Sequence, residues 1–148
     1  MARNDITFFE EALDNAFFNG WGASDDIKLA ICDNTAAPTA ATTDPALALF
    51  TQVTAAGSYT TGGTSIGAWD TLSVEAGGTL TFDSATNPTW ALNASNDTDA
   101  YWAILYNDTQ TTPIADPAIL YIDLGGPVDM QTGALTITWH ANGIFTIS

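Results

Sequence analysis

Beyond Lys28 the chain contains no lysine or arginine, so the carboxylates from Asp33 to Asp129 find no basic partner in their own stretch of sequence. A fold held by ion-pair networks is closed to such a chain, and its stability has to come from apolar burial and backbone hydrogen-bond ladders. With 17 acidic against 2 basic residues the formal charge is −15. That charge repels the phosphate backbones that Lys and Arg grip by displacing counterions. Nucleic acid is excluded as a direct partner, as is an anionic membrane surface. The acidic groups are expected to face water, where like charge keeps a crowded protein soluble.

The 148 residues, 46% hydrophobic, suffice for one domain with a real core. A single cysteine, Cys32, cannot form an internal disulfide, which fits folding in a reducing cytosol. Asp5, Glu10, Glu11 and Asp14 interrupt the first twenty residues, so no export signal is expected there, and no later apolar run reaches the length that spans a bilayer.

One segment reads as helix. Ile6, Phe9, Leu13, Phe17 and Trp21 recur at spacings of three and four, Thr7 and Glu10 match a capping box, and Asn19-Gly20 supplies a left-handed stop. The spacing predicts a helix over about residues 8–18, with Phe8 and Phe18 off the main stripe. From Asp26 the period changes to two. Ile27, Leu29 and Ile31 alternate with Lys28, Ala30 and Cys32 before the turn residues Asp33-Asn34-Thr35. After an Ala/Thr/Pro loop over 36–45, strands are predicted at 46–53, 71–74, 80–83, 89–93, 100–106, 118–124 and 134–147. Turn chemistry separates them at Gly62-Gly63, Gly77-Gly78, Asn87-Pro88, Asn96-Asp97, Thr112-Pro113 and Gly125-Gly126-Pro127. The expected fold is all-β, an antiparallel β-sandwich of jelly-roll type over residues 26–148, preceded by an N-terminal helical segment over 1–25.

In the last strand region Leu135, Ile137 and Trp139 face one way and Thr136, Thr138 and His140 the other. A two-residue Asn142-Gly143 hairpin would split the apolar side. A three-residue loop pairing Trp139 with Phe145 keeps it together, as does one continuous strand through Gly143, and parity does not choose between them. Two strands are apolar on both faces: Trp102, Ile104 and Tyr106 oppose Tyr101, Ala103 and Leu105, while Ile119 and Tyr121 oppose Leu120, Ile122 and Leu124. A free sandwich has a wet side per sheet, so a cover is needed. One helix covers only part, which favours an oligomer.

Candidate chemistry is sparse. Gly63-Thr64-Ser65-Ile66-Gly67 matches the pattern of a hydrolase nucleophile elbow, with His140 as the only imidazole to serve as base. No helical period follows Gly67, and a turn between strands is the simpler reading. Cys32 and His140 together fall short of a zinc ligand set, and Cys32 reads as a small packed hydrophobe. The oxygen-rich loop 93–99 lacks EF-hand spacing, so calcium binding there is secondary to a solvated acidic turn. Asn93, Asn96 and Asn107 begin glycosylation sequons, which carry little weight without an export signal. Trp90, Trp102 and Trp139 sit among aliphatics as core or interface residues, leaving Trp69 as the best candidate for an exposed, sugar-stacking ring. No catalytic, cofactor or metal residue is assigned.

The order of features resembles that of small β-sandwich virion proteins of tailed bacteriophages. A strand like Ile27-Lys28-Leu29-Ala30-Ile31 leads to an Ala/Thr/Pro loop and a Gly-rich middle. A second like Tyr101-Trp102-Ala103-Ile104-Leu105-Tyr106-Asn107-Asp108 follows, then Ile119-Leu120-Tyr121-Ile122-Asp123-Leu124-Gly125-Gly126-Pro127, and an end like Gly133-Ala134-Leu135-Thr136-Ile137-Thr138-Trp139. The resemblance covers Asp26 to the C-terminus. It implies a capsid cement or decoration protein on the virion surface, made in the bacterial cytoplasm, bound to major capsid protein and to itself, often as a trimer; a tail or fibre component is the alternative. Phe8, Phe9, Phe17 and Phe18 of the helix, with Trp21, Tyr101, Leu105 and Leu120, are the expected contact residues. A hydrolase using Ser65 and His140 is the third reading.

Overall fold

The structure, a computed structural model, describes residues 5–18 and 20–148; the side chains of Phe17 and Phe18 lie outside it, as does Asn19. In chain order the elements are β1 (Ile6–Phe8), α1 (Ala12–Phe18), β2 (Asp26–Cys32), a one-turn 3₁₀ helix (Leu47–Leu49), β3 (Thr64–Ala68), α2 (Trp69–Leu72), β4 (Ser73–Ala76), β5 (Thr79–Phe82), β6 (Thr89–Trp90), β7 (Ala100–Asn107), β8 (Ala118–Val128), β9 (Leu135–Thr136) and β10 (Phe145–Ile147). They form three antiparallel sheets, ordered β1-β8-β7-β2-β3, β10-β5-β4 and β6-β9. The fold is all-β and sandwich-like, as the turn spacing requires.

Register explains how the central sheet is buried on both sides. One row runs Phe8, Leu120, Leu105, Leu29, and the next but one runs Ile6, Ile122, Ala103, Ile31, all on one face. Between them Thr7, Tyr121, Ile104 and Ala30 point the other way. On the first face Phe8 meets Phe145 of β10 edge-on at 4.7 Å, and Phe145 stacks on Phe82 of β5, also at 4.7 Å. On the second, Phe9 lies 5.2 Å from Tyr121 and stacks on Phe50 at 5.6 Å. The chain thus covers both faces of its own central strands. The expectation that another subunit must do so loses its premise.

The N-terminus differs from the sequence reading. Ile6–Phe8 is a strand paired with β8, Phe9 extends the ladder with an amide bond to the Ile119 carbonyl at 3.1 Å, and helix begins only at Ala12. The free edge of β8 offers this segment backbone partners. Alternation then sends Phe8 and Phe9 to opposite faces, each into a core, which a helical stripe cannot do. The buried helix positions are accordingly Ala12 and Asn15, while Leu13, expected inward, is 45% exposed. Glu10 and Glu11, expected to serve the helix start, tether the 36–45 loop, through the Glu10 amide to the Ala40 carbonyl and the Asp44 amide to Glu11 Oε2.

Three further differences have local causes. Segment 46–53 is no strand: Leu47, Phe50 and Val53 are buried at a spacing of three, the period of a 3₁₀ turn, between isolated bridges Ala46–Pro117 and Cys32–Gln52. The Gly-Thr-Ser-Ile-Gly stretch is not a turn but β3, because β2 presents it an open edge, Leu29 opposite Thr64 and Lys28 opposite Ser65. Residues 134–147 form neither a hairpin nor one strand. Leu135 and Thr136 pair with β6, the chain turns at Gly143, and Phe145–Ile147 pairs with β5 in another sheet. The parity holds all the same, with Leu135, Ile137 and Trp139 buried and Thr136, Thr138 and His140 exposed.

Candidate contact surface

Ser65 and His140 are not brought together. Ser65 lies on β3, where its hydroxyl bonds to Asp26 Oδ1 at 2.5 Å. His140 lines a cavity of about 440 Å³ beside Ile6 of β1 and Ile122 of β8, at the other edge of the same sheet. Three to four strand spacings, roughly 15–19 Å, separate those positions. The hydrolase reading built on this pair is therefore withdrawn. Cys32 is fully buried, and burial pushes its thiol up to about 12, with Asp33 adding to the effect, so the nucleophilic thiolate is not formed at neutral pH.

The 93–99 loop uses its polar groups internally. Asn96, 2% exposed, donates from Nδ2 to the carbonyls of Ala91 and Met130 and accepts the Ser58 amide on Oδ1 at 2.8 Å. Asp97 accepts the Thr54 amide on one oxygen at 2.9 Å and the Thr98 and Asp99 amides on the other at 2.8 and 3.2 Å. Asn107, which begins another sequon, is wholly buried against Asp25. Among the described residues no three His, Cys, Asp or Glu side chains converge as metal ligands.

The bond from the Thr54 amide, helped by those from Thr98 and Asp99, holds the Asp97 carboxyl below the usual carboxylate range against a smaller effect of burial. A folded-state pKa below the unfolded one stabilises the fold above the unfolded value, and that contribution fades as pH falls through the folded value. Asp97→Ala is therefore expected to be less stable than the parent at neutral pH, with the gap narrowing in acid. Urea unfolding at a series of pH values measures it, and a gap that stays constant with pH would contradict the assignment. Asp116 has the opposite sign. Burial, then Asp108, raises its pKa, while Lys28, paired with Asp108 at 2.6 Å, opposes the rise.

The expected contact residues divide. Phe9, Leu105 and Leu120 are 1%, 0% and 0% exposed, so the chain's own core consumes them and they are not free to meet a neighbour. Phe8, Trp21 and Tyr101 are half-buried; Phe17 and Phe18 lie outside the described side chains. Trp69, expected in a loop with an exposed ring, opens α2 and is half-buried, edge-on to Trp21 at 5.3 Å and tilted on Phe82 at 4.8 Å. Trp90 and Trp139 are core residues, and Trp102 Nε1 bonds to Asn34.

Where α1 faces β5 and β10, the molecule leaves an opening of about 130 Å³. Leu13 from α1 and Ile147 from β10 stand at it, 45% and 37% exposed. They are two of six large apolar side chains exposed among the described residues, and the only two that line one cavity. No family model, curated protein or solved structure matches the chain. The surface must therefore be judged on its own chemistry: an apolar, aromatic-floored opening on a strongly acidic molecule. Sequence periodicity pointed to excess apolar area on α1, but the signal for this opening is the pairing of Trp21 with Trp69, residues far apart in the chain whose contact no local period reports.

No helix among the described residues is long and apolar enough to cross a membrane.

Proposed function

We propose that the chain is a non-enzymatic virion structural protein of the cement or decoration type, seated on an assembled shell of major capsid protein. The observation that carries this reading is the apolar opening rimmed by exposed Leu13 and Ile147 on a molecule of charge −15. A contiguous apolar opening on a charged soluble surface marks a contact site. The resemblance from Asp26 onward supplies the kind of partner, and a trimer is part of the proposal on that ground alone. Binding only the mature shell stabilises that state by mass action, and many symmetric copies add small interfaces into a large total. The acidic remainder faces outward and keeps the decorated particles apart.

Co-sedimentation with empty mature shells tests the reading. The parent protein is expected to pellet with shells and Leu13→Asp/Ile147→Asp to stay in the supernatant. Each lost apolar contact is worth about 2 kcal/mol, so affinity falls roughly a hundredfold or more. Immunogold label on tails rather than heads, or a double variant that binds as the parent does, would overturn the assignment.

A further inference from the structure

The opening beside α1 has the character of a small-molecule site. Five rings follow one another along it, Trp21 to Trp69 at 5.3 Å, Trp69 to Phe82 at 4.8 Å, Phe82 to Phe145 at 4.7 Å and Phe145 to Phe8 at 4.7 Å. Every lining side chain is apolar or aromatic, and the two indoles carry the only side-chain polar atoms. Trp21 Nε1 is buried and has no hydrogen-bond partner. A buried donor left unpaired is a cost that folding normally avoids, so each such group calls for an explanation. Water explains it poorly, since an ordered buried water makes about three hydrogen bonds and this lining offers few partners. The volume, about 130 Å³, is close to that of an engineered apolar cavity, about 150 Å³, that stays dry and takes benzene.

We infer that this cavity binds a compact uncharged molecule of about six or seven non-hydrogen atoms, apolar in body and carrying one hydrogen-bond acceptor directed at Trp21 Nε1–H. An acceptor of this kind satisfies the orphaned donor while the body displaces no well-held water. A carboxylate fits badly, because the molecule's own charge of −15 repels it. The inference rests on the cavity alone and is independent of any shell partner.

Cyclopentanone and methylenecyclopentane, nearly isosteric and differing in the acceptor, provide the test on the isolated full chain. Titration with cyclopentanone, followed by the indole N–H resonances, is expected to shift one cross-peak saturably, the one that Trp21→Phe removes. The ratio of ketone to alkene affinity is expected to fall about fivefold in Trp21→Phe, which keeps the ring surface and deletes the donor. Ala16→Leu, which builds a side chain into the cavity from α1, is expected to abolish binding of both probes. The inference is overturned if no indole resonance saturates, if the affinity ratio is unchanged in Trp21→Phe, or if Ala16→Leu still binds. Should Trp21→Phe fail to fold, the parent titration and Ala16→Leu decide between the same outcomes.

Discussion

Leu105→Ala is expected to lower the free energy of unfolding by about 3 kcal/mol, within the roughly 2–5 kcal/mol that deletion of a buried leucine costs when its surroundings cannot collapse. Leu105 is fully buried on β7, flanked in register by Leu29 and Leu120, with Phe8 beyond. Strands on both sides fix its neighbours, so the cavity left by three lost carbons stays open. The contacts are all within one chain, so the loss is expected to be the same at high and low protein concentration. A leucine buried between subunits behaves otherwise, because its stabilisation rises with concentration by mass action. Urea unfolding of Leu105→Ala and the parent over a wide range of concentration makes the distinction. A cost under ~1 kcal/mol, the size typical of surface positions, or a loss that depends on concentration would return Leu105 to an interface.

That result bears on what could be read from sequence. The need for a cover over β7 and β8 was legible, because strands apolar on both faces announce burial on both sides. The identity of the cover was not. It comes from Phe9 and Phe50 on one face and from Phe145 and Phe82 on the other, residues up to 137 positions apart in the numbering, counting 8 to 145 for the Phe8–Phe145 contact. Alternation reports which way a side chain points and carries no information about which sheet receives it. The same limit shows in residues 135–140, whose inward and outward sides were correct while the partner strand was β6 rather than the chain's own continuation. At the N-terminus the local signal was misleading outright. Ile6, Phe9 and Leu13 fit a helical stripe, yet β8 had an unpaired edge, and a ladder that buries Phe8 and Phe9 separately outweighs intrinsic helix preference. The candidate contact surface inherits this history. Its rim residue Leu13 is exposed only because the strand set the helix start later and rotated its buried side to Ala12 and Asn15.

Gly63→Ala is expected to be the most damaging small substitution in the chain, costing about 4 kcal/mol or more, a large part of the roughly 5–15 kcal/mol that holds a domain together. Two effects combine. Gly63 has φ +71°, where a side chain adds strain of about 1–3 kcal/mol. A Cβ there would also lie 1.9 Å from the Leu29 carbonyl oxygen and 2.7 Å from Ala30 Cα. Those are backbone atoms of β2, which β7 holds from its other side through six paired residues, so neither strand can move aside without breaking a ladder. Gly62→Ala is the control. Its φ is +88°, but an added Cβ meets only the Tyr106 hydroxyl, at 3.2 Å, so it carries the strain without the backbone collision. Urea unfolding of the two variants is expected to place Gly63→Ala well below Gly62→Ala, or to find it unfolded. Equal losses would mean that β3 is not pinned against β2 at this point. The glycine that opens the Gly-Thr-Ser-Ile-Gly pattern is thus explained by strand packing: it lets the chain enter β3 within contact distance of β2, where a nucleophile elbow would have needed it to free a serine.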